Sequence, residues 1–168
     1  MTDSVFEQLA QRHDELMTAH AQLLDRLNPV MQWRPLRANT PPLTRATDGA
    51  GGWDLVAADA VTLAPGERAL LHTGIAVAIP EGWVGLIWPR SGLAVDQGLD
   101  RLAGVVDSDY RGEVRVAVIN RGLDLIRLES NERCAQLVVV PCLIDAEESQ
   151  SLAPSGRGNG GFGSSGSF

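Results

Sequence analysis

From Trp53 to about Leu143 the chain is a succession of short apolar runs separated by turns, and nothing resembling a second long helix interrupts them. The runs Arg68–Ile79, Val84–Trp88, Val114–Ile119, Leu125–Leu128 and Cys134–Val140 have the length and β-branched content of strands. Pro65-Gly66-Glu67 and Pro80-Glu81-Gly82 punctuate them as turns, at the spacing of an all-β barrel or sandwich. Parallel βαβ units would need alternating helices, so the pattern predicts an all-β fold.

Two segments lie outside this pattern. Residues 4–28 read as a helix, with Ser4 and Glu7 in capping-box spacing and Asn28-Pro29 as a stop. Phe6, Leu9, Leu16, Leu23, Leu27 and Val30 fall at three- and four-residue steps, with His13 and His20 in the same register. Ala10, Met17 and Leu24 widen that stripe. The width favours packing on the protein's own body or a neighbouring subunit over a strict three-fold coiled coil. The end of the chain, from Ser155 to Phe168, is dominated by glycine and serine, the composition of a flexible arm. The expected organisation is a helical extension over residues 1–34, a linker over 35–50, a β core over 51–145 and an arm over 146–168.

Composition excludes several classes of function. The net charge is −7, which argues against a general nucleic-acid surface. All 14 basic residues are arginine. Without lysine there is no Walker-A phosphate loop and no Schiff-base chemistry. No apolar run approaches the roughly 20 residues of a membrane span, and the N-terminus lacks the basic-then-apolar pattern of a signal peptide, so a cytoplasmic location is expected. Cys134 and Cys142, eight positions apart on one strand, would lie about 26 Å apart, beyond disulfide reach. Two cysteines and three scattered histidines make no metal-ligand set.

Chemistry concentrates in two short segments. Gly104-Val-Val-Asp107-Ser-Asp109-Tyr110-Arg-Gly-Glu113 sets carboxylates and the chain's one tyrosine on a tight turn between apolar runs. Asx turn chemistry accounts for Asp-Ser-Asp but not for the bulky Tyr110. Pro89-Arg90-Ser91-Gly92-Leu93-Ala94 follows a strand and offers a guanidinium, a hydroxyl and accessible backbone N–H groups, the donors a phosphate needs.

Together with three further segments these motifs resemble the trimeric all-β dUTP diphosphatase (dUTPase) family. The first is Gly51-Gly52-Trp53-Asp54-Leu55, with Trp53 where the family usually has tyrosine; the fourth is Glu132-Arg133-Cys134-Ala135-Gln136-Leu137. The fifth is Arg157-Gly-Asn-Gly-Gly-Phe162-Gly-Ser-Ser-Gly166, and the five occur in the family's order across residues 45–166. The resemblance implies a β-barrel or jelly-roll-type domain and Mg²⁺-dependent hydrolysis of dUTP to dUMP and pyrophosphate. It implies Asp107 as general base toward a water attacking the α-phosphate. Tyr110, in a rigid hairpin, would sit under the deoxyribose and exclude a 2′-hydroxyl. Gly104, Val105 and Val106 would read the uracil edge. Arg90, Ser91 and Gly92 would hold phosphates, with Gln136 also at the substrate. Asp54 would reach the Mg²⁺ ion through water. Arg157, Phe162, Gly163 and Ser164 would close over the nucleotide from the arm of another subunit, so that a homotrimer shares its sites.

Asp109 and Glu113 fit structural roles, pairing with arginine or capping the turn. Cys134 stands where an aliphatic is common and would make the site thiol-sensitive if it lay near it. A dCTP deaminase-type relative would share the fold but lack the Tyr110 gate and the Phe162 cap. A dUTP-binding trimeric regulator acting through the helical extension is the non-enzymatic alternative.

Overall fold

The computed structural model describes residues 2–27, 29–143 and 145–159, without the side chains of residues 2–4, 25 and 26. It opens with helix α1 (Thr2–Leu27) and continues through strands β1 (Gln32–Pro35), β2 (Trp53–Val56), β3 (Val61–Leu63), β4 (Arg68–Ala78) and β5 (Trp83–Pro89). A short helix α2 (Ser91–Gln97) follows, and then β6 (Leu99–Arg101), β7 (Val105–Val106), β8 (Glu113–Asn120), β9 (Ile126–Leu128) and β10 (Arg133–Pro141). All pairings are antiparallel. They form one sheet in the order β1-β4-β8-β6, a second in the order β2-β10-β5-β7, and a two-stranded ribbon β3-β9. The all-β expectation holds, and the five expected strands are β4, β5, β8, β9 and β10.

Alternation in the sequence decides which residues enter the core. Along β8, Val114, Val116, Val118 and Asn120 are buried, while Glu113, Arg115, Ala117 and Ile119 face the other way. The inner faces of both large sheets contribute to one apolar cluster that includes Ile75, Val77, Val114, Val116 and Val118 from the first and Leu55, Ile87, Ala135 and Leu137 from the second. On β10 the register against β2 shifts between Arg133 and Ala135, which allows Cys134 and Ala135 to be buried in succession.

Among the described residues two polar side chains, Thr73 and Asn120, are fully buried, and Asn120 is the larger. Asn120 Nδ2 donates to the carbonyls of Leu63 (2.9 Å) and Asp124 (2.8 Å), and its Oδ1 accepts from Gly122 N–H (2.8 Å). It thereby closes the turn after β8 and ties it to β3. Every polar atom of the side chain that can be satisfied here is satisfied, as burial requires.

Several elements depart from the sequence expectations. Helix α1 begins at Thr2, upstream of the capping-box serine. Its stripe is not covered by the described residues of the chain, for Phe6, Leu9, Leu16, Met17, Leu23 and Leu27 are all exposed. Residue 34, where the helical extension was expected to end, falls inside β1, which pairs with β4 from Gln32↔Ala78 to Pro35↔Ile75. The expected linker sends Leu43 into the core, and Thr40 Oγ1 donates to the Gly74 carbonyl at 3.2 Å. No described helix is long and apolar enough to cross a membrane. Cys134 and Cys142 are both free.

Candidate active site

The segment between β7 and β8 is not a hairpin. Val106 pairs with Gly85 in one sheet, whereas Glu113 pairs with Ala76 in the other, so the intervening residues carry the chain from sheet to sheet. Their path is closely tied. Tyr110 N–H donates to the Asp107 carbonyl at 3.2 Å, making a four-residue turn. Arg111 Nη1 donates to the carbonyls of Ser108 (2.6 Å) and Tyr110 (2.9 Å). The Tyr110 hydroxyl donates to the Glu113 carbonyl at 3.0 Å, folding the ring back over Gly112. A Cβ on Gly112 would come within 2.6 Å of the ring carbon bearing that hydroxyl, so only glycine permits this pose.

This crossing lines a cavity of about 330 Å³, whose walls include Ile87, Gly104, Val105, Val106, Asp107, Tyr110, Glu113 and Arg115. The volume is at the lower end of the range for small-molecule sites. The expected base, sugar gate and uracil-reading backbone therefore converge on one cavity. Asp107 and Tyr110 are exposed in it. Gly104 is half-buried beneath β5, its carbonyl accepting from Ile87 N–H at 2.7 Å. A Cβ there would lie 2.8 Å from the Ile87 carbonyl oxygen, too near for any other residue without displacement.

Behind the cavity, Glu113 is held by β4. Its carboxylate accepts from His72 Nδ1–H at 2.7 Å and from Gly74 N–H at 2.9 Å. These bonds span the stretch between His72 and Ala76 where the β4–β8 register is interrupted. Burial pushes the Glu113 carboxyl up, but the bonds from His72 and Gly74 outweigh it and hold the group below its ordinary value. Glu113, expected to pair with an arginine or to cap the turn, is bonded to a histidine and a backbone amide, which leaves it a structural role.

The phosphate-binding candidates gather elsewhere. Asp54 on β2 faces Gln136 on β10, which in turn faces Trp88 on β5, so the first, second and fourth motifs meet at one end of the second sheet. Arg90 Nη1 donates to Asp54 Oδ1 at 3.0 Å and Arg133 Nη1 donates to Asp54 Oδ2 at 3.3 Å. Asp54 is the most buried of the three, with 12% of its side chain exposed against 27% for Arg90 and 53% for Arg133. It is an anchor from which the two guanidiniums project. Gln136 Nε2 donates to the Pro89 carbonyl at 3.4 Å, just before Arg90. Ser91 and Gly92 begin α2 and are exposed.

Register separates these groups from the cavity. Val106 stands beside Gly85, five residues along β5 from Arg90, which is about 16 Å at 3.3 Å per residue. Asp107 follows the end of β7, one residue further from Arg90. One chain brings the expected site residues together as two clusters, not one. Arg157 is exposed, and Phe162, Gly163 and Ser164 lie outside the described residues.

Two contacts were not foreseen from sequence. Arg133 sits within the fourth motif, but its convergence with Arg90 on Asp54 required the β2–β10 register. His72 carries no motif signal at all. Cys134, by contrast, is buried within hydrogen-bonding reach of the Leu55 carbonyl, 3.5 Å from Sγ, and burial pushes its thiol up to about 12. Although β10 carries it near the Asp54 cluster, the side chain points into the core and is chemically inert at neutral pH.

An antiparallel all-β domain with an Asp–Tyr crossing over a cavity and an arginine pair on a buried carboxylate is the class of protein these features define. The dUTPase family model matches residues 38–166. A deoxyuridine 5'-triphosphate nucleotidohydrolase of Anaeromyxobacter sp. is 52% identical over 124 residues, covering 71% of this chain and 84% of that protein. Among solved structures, a point mutant of the Staphylococcus bacteriophage 80alpha dUTPase with dUpNHpp superposes with a TM-score of 0.77 at 30% identity, over 83% of this chain and 99% of that one. A mutant dUTPase of phage phi11 of S. aureus, described for the coordination of a structural Mg(II) ion, matches with a TM-score of 0.69 at 25% identity, over 74% of this chain and 99% of that one. The chain belongs to the dUTPase family.

Proposed function

We propose that this protein hydrolyses dUTP to dUMP and pyrophosphate. The observation that carries the assignment is the single cavity shared by Asp107, Tyr110 and the Gly104–Val106 backbone, in a chain of this family. Asp107 accepts a proton from a water. That water's oxygen bonds to the α-phosphorus as the bridge to the β-phosphate breaks, and pyrophosphate leaves. Tyr110 packs under the deoxyribose, where its tied-back ring leaves no space for a 2′-hydroxyl. Gly104, Val105 and Val106 present backbone groups to the uracil edge. Arg90, Ser91 and Gly92 hold the phosphates, with Gln136 beside them. Arg157, Phe162, Gly163 and Ser164 complete the enclosure from the arm.

The described residues hold no group of three or more His, Cys, Asp or Glu able to cage a metal ion. That suits Mg²⁺, which takes phosphate and water oxygens in preference to an all-protein cage. Asp54 fits as an outer contact, because each carboxylate oxygen already receiving a guanidinium retains a lone pair for a further donor. Bound with the substrate, the ion would offset phosphate charge.

A homotrimer with shared sites belongs to the same proposal. It is supported by the separation of the two clusters along β5: in one chain Asp107 and Arg90 belong to different clusters, whereas a base and a guanidinium acting on one triphosphate work at a single site. The division into extension (1–34), linker (35–50), core (51–145) and arm (146–168) is proposed as a functional layout only, since β1 straddles its first boundary and Leu43 of the linker packs into the core. A cytoplasmic setting is part of the same proposal.

Hydrolysis in ¹⁸O-water tests the reaction. Label recovered in dUMP supports attack at the α-phosphorus. Label recovered in pyrophosphate places the attack on the β-phosphorus and contradicts it, and release of ammonia would mark deamination of the base.

A further inference from the structure

We propose that His72 and Glu113 are positioning residues for Tyr110 and set how strongly the enzyme prefers a deoxyribonucleotide over a ribonucleotide. The inference rests on Tyr110 acting as the sugar gate. What fixes the gate is then a question of which atoms hold the tyrosine. Its hydroxyl ends on the backbone carbonyl of Glu113, not on a side chain, so its pose is only as fixed as that stretch of backbone. Glu113 opens β8, directly after the sheet-to-sheet crossing, where ladder bonds are sparse. Its pairing with Ala76 is separated by a register break from the next pair, His72↔Arg115.

The carboxylate of Glu113 bridges that break. One oxygen takes Gly74 N–H at 2.9 Å and the other takes His72 Nδ1–H at 2.7 Å. Because an interrupted ladder leaves local donors without strand partners, these side-chain bonds replace the missing ladder. They also differ in kind. The Gly74 bond uses backbone and survives any change at His72, whereas the His72 bond is made by a side chain that is about half exposed and has no core role. Glu113 also lines the cavity itself, next to Tyr110 and Asp107. A shift of its backbone would therefore move the phenol that bounds the sugar, with no change to the phosphate-binding cluster at the far end of β5.

The expected consequence is a loss of selectivity larger than the loss of turnover. An imperfectly held ring gives a ribose the space that a fixed ring denies, while the reacting phosphate is held by other residues. Asparagine at position 72 places its amide N–H where the histidine Nδ1–H lies and so provides a conservative rescue.

The experiment measures kcat/KM for dUTP and for UTP in the full-length protein, for wild type, His72→Ala, His72→Asn, Glu113→Gln and Tyr110→Ala. The expected result is a fall of about tenfold in the dUTP-to-UTP ratio for His72→Ala and Glu113→Gln, with kcat on dUTP within about threefold of wild type. His72→Asn is expected to restore the ratio. An unchanged ratio in His72→Ala and Glu113→Gln, beside a collapsed ratio in Tyr110→Ala, overturns the positioning role and leaves the gate intact. A Tyr110→Ala protein that still rejects UTP overturns the gate and the positioning role together. Equal loss of turnover and selectivity in both His72 variants, with no rescue by asparagine, assigns the pair to folding alone and also overturns the proposal.

Discussion

Asp54 and Arg90 form a bond of 3.0 Å between a largely buried carboxylate and a guanidinium at the end of β5. Arg133 closes on the other oxygen of the same carboxylate at 3.3 Å. Strand register makes this convergence possible, since Asp54 stands opposite Gln136 on β10 while Arg133 stands opposite Val56. One anion thus orients two cations toward the position proposed for a triphosphate. An arginine held in this way loses less side-chain freedom when it takes up phosphate.

Asp54→Asn keeps the shape of the anchor but removes its charge. A hydrogen bond to a charged group contributes about 1.5–3 kcal/mol, so KM for dUTP is expected to rise by roughly tenfold or more. The melting temperature should change little, because both arginines can turn to solvent. Steady-state kinetics beside thermal melts check this, and an unaltered KM would show that Asp54 does not set Arg90 for phosphate.

Shared sites predict complementation. Arg90→Ala and Asp107→Asn should each abolish turnover when every subunit carries the same change. Mixing the two after unfolding and refolding together should restore part of the activity, because some sites then draw an intact cluster from each of two subunits. If the mixture stays as inactive as its parents, both clusters act within one chain.

Asn120 is expected to be the most costly polar residue to truncate. Asn120→Ala leaves the carbonyls of Leu63 and Asp124 and the Gly122 amide without their partner in the core. Stranded polar groups cost about 1–3 kcal/mol each, and partial rearrangement of the turn places the net loss near ~3 kcal/mol. Urea unfolding checks the value, with a change below about 1 kcal/mol contradicting it.

The pH dependence of stability has a definite sign. The Arg121 guanidinium holds Asp100 below the usual carboxylate range, and the Arg37 guanidinium does the same for Asp59. Glu113 is also depressed, against the upward push of its burial, by His72 and Gly74. A depressed carboxyl stabilises the fold fully above its unfolded pKa, and that contribution disappears as pH falls through the folded value. Melting temperature should be level from neutral pH down to the ordinary carboxylate range and fall below it. Asp59 and Asp100 are solvent-exposed, so their shares are small and screened by salt. Glu113→Gln should flatten part of the acid limb, whereas an acid limb identical to wild type would assign the loss to other groups.

Much of the fold was legible where alternation persists long enough to be read, as in Val114, Val116 and Val118 on β8 or the apolar run of β10. The strands not legible in the sequence, β1, β2, β3, β6 and β7, have two to four residues, too few for a period to register, and are set by their partners. Helix α2 was hidden because Pro89 and Gly92 read equally as a turn. In the site, the motifs named the residues but not their grouping. The gap between Arg90 and Asp107 follows from where along β5 the strand β7 pairs, and His72 reaches Glu113 only because β4 and β8 lie side by side. The apolar stripe of α1 remains exposed for the same reason in reverse: the sequence shows that it can be covered, but no described part of this chain covers it.

The most direct test of the central claim is pyrophosphate release from dUTP with Mg²⁺, run beside UTP, dCTP and dTTP, for wild type and Asp107→Asn. The expected result is rapid release from dUTP alone, reduced by several orders of magnitude in Asp107→Asn while dUTP still binds. Tight binding of dUTP without turnover by the wild type, or undiminished turnover by Asp107→Asn, would contradict it.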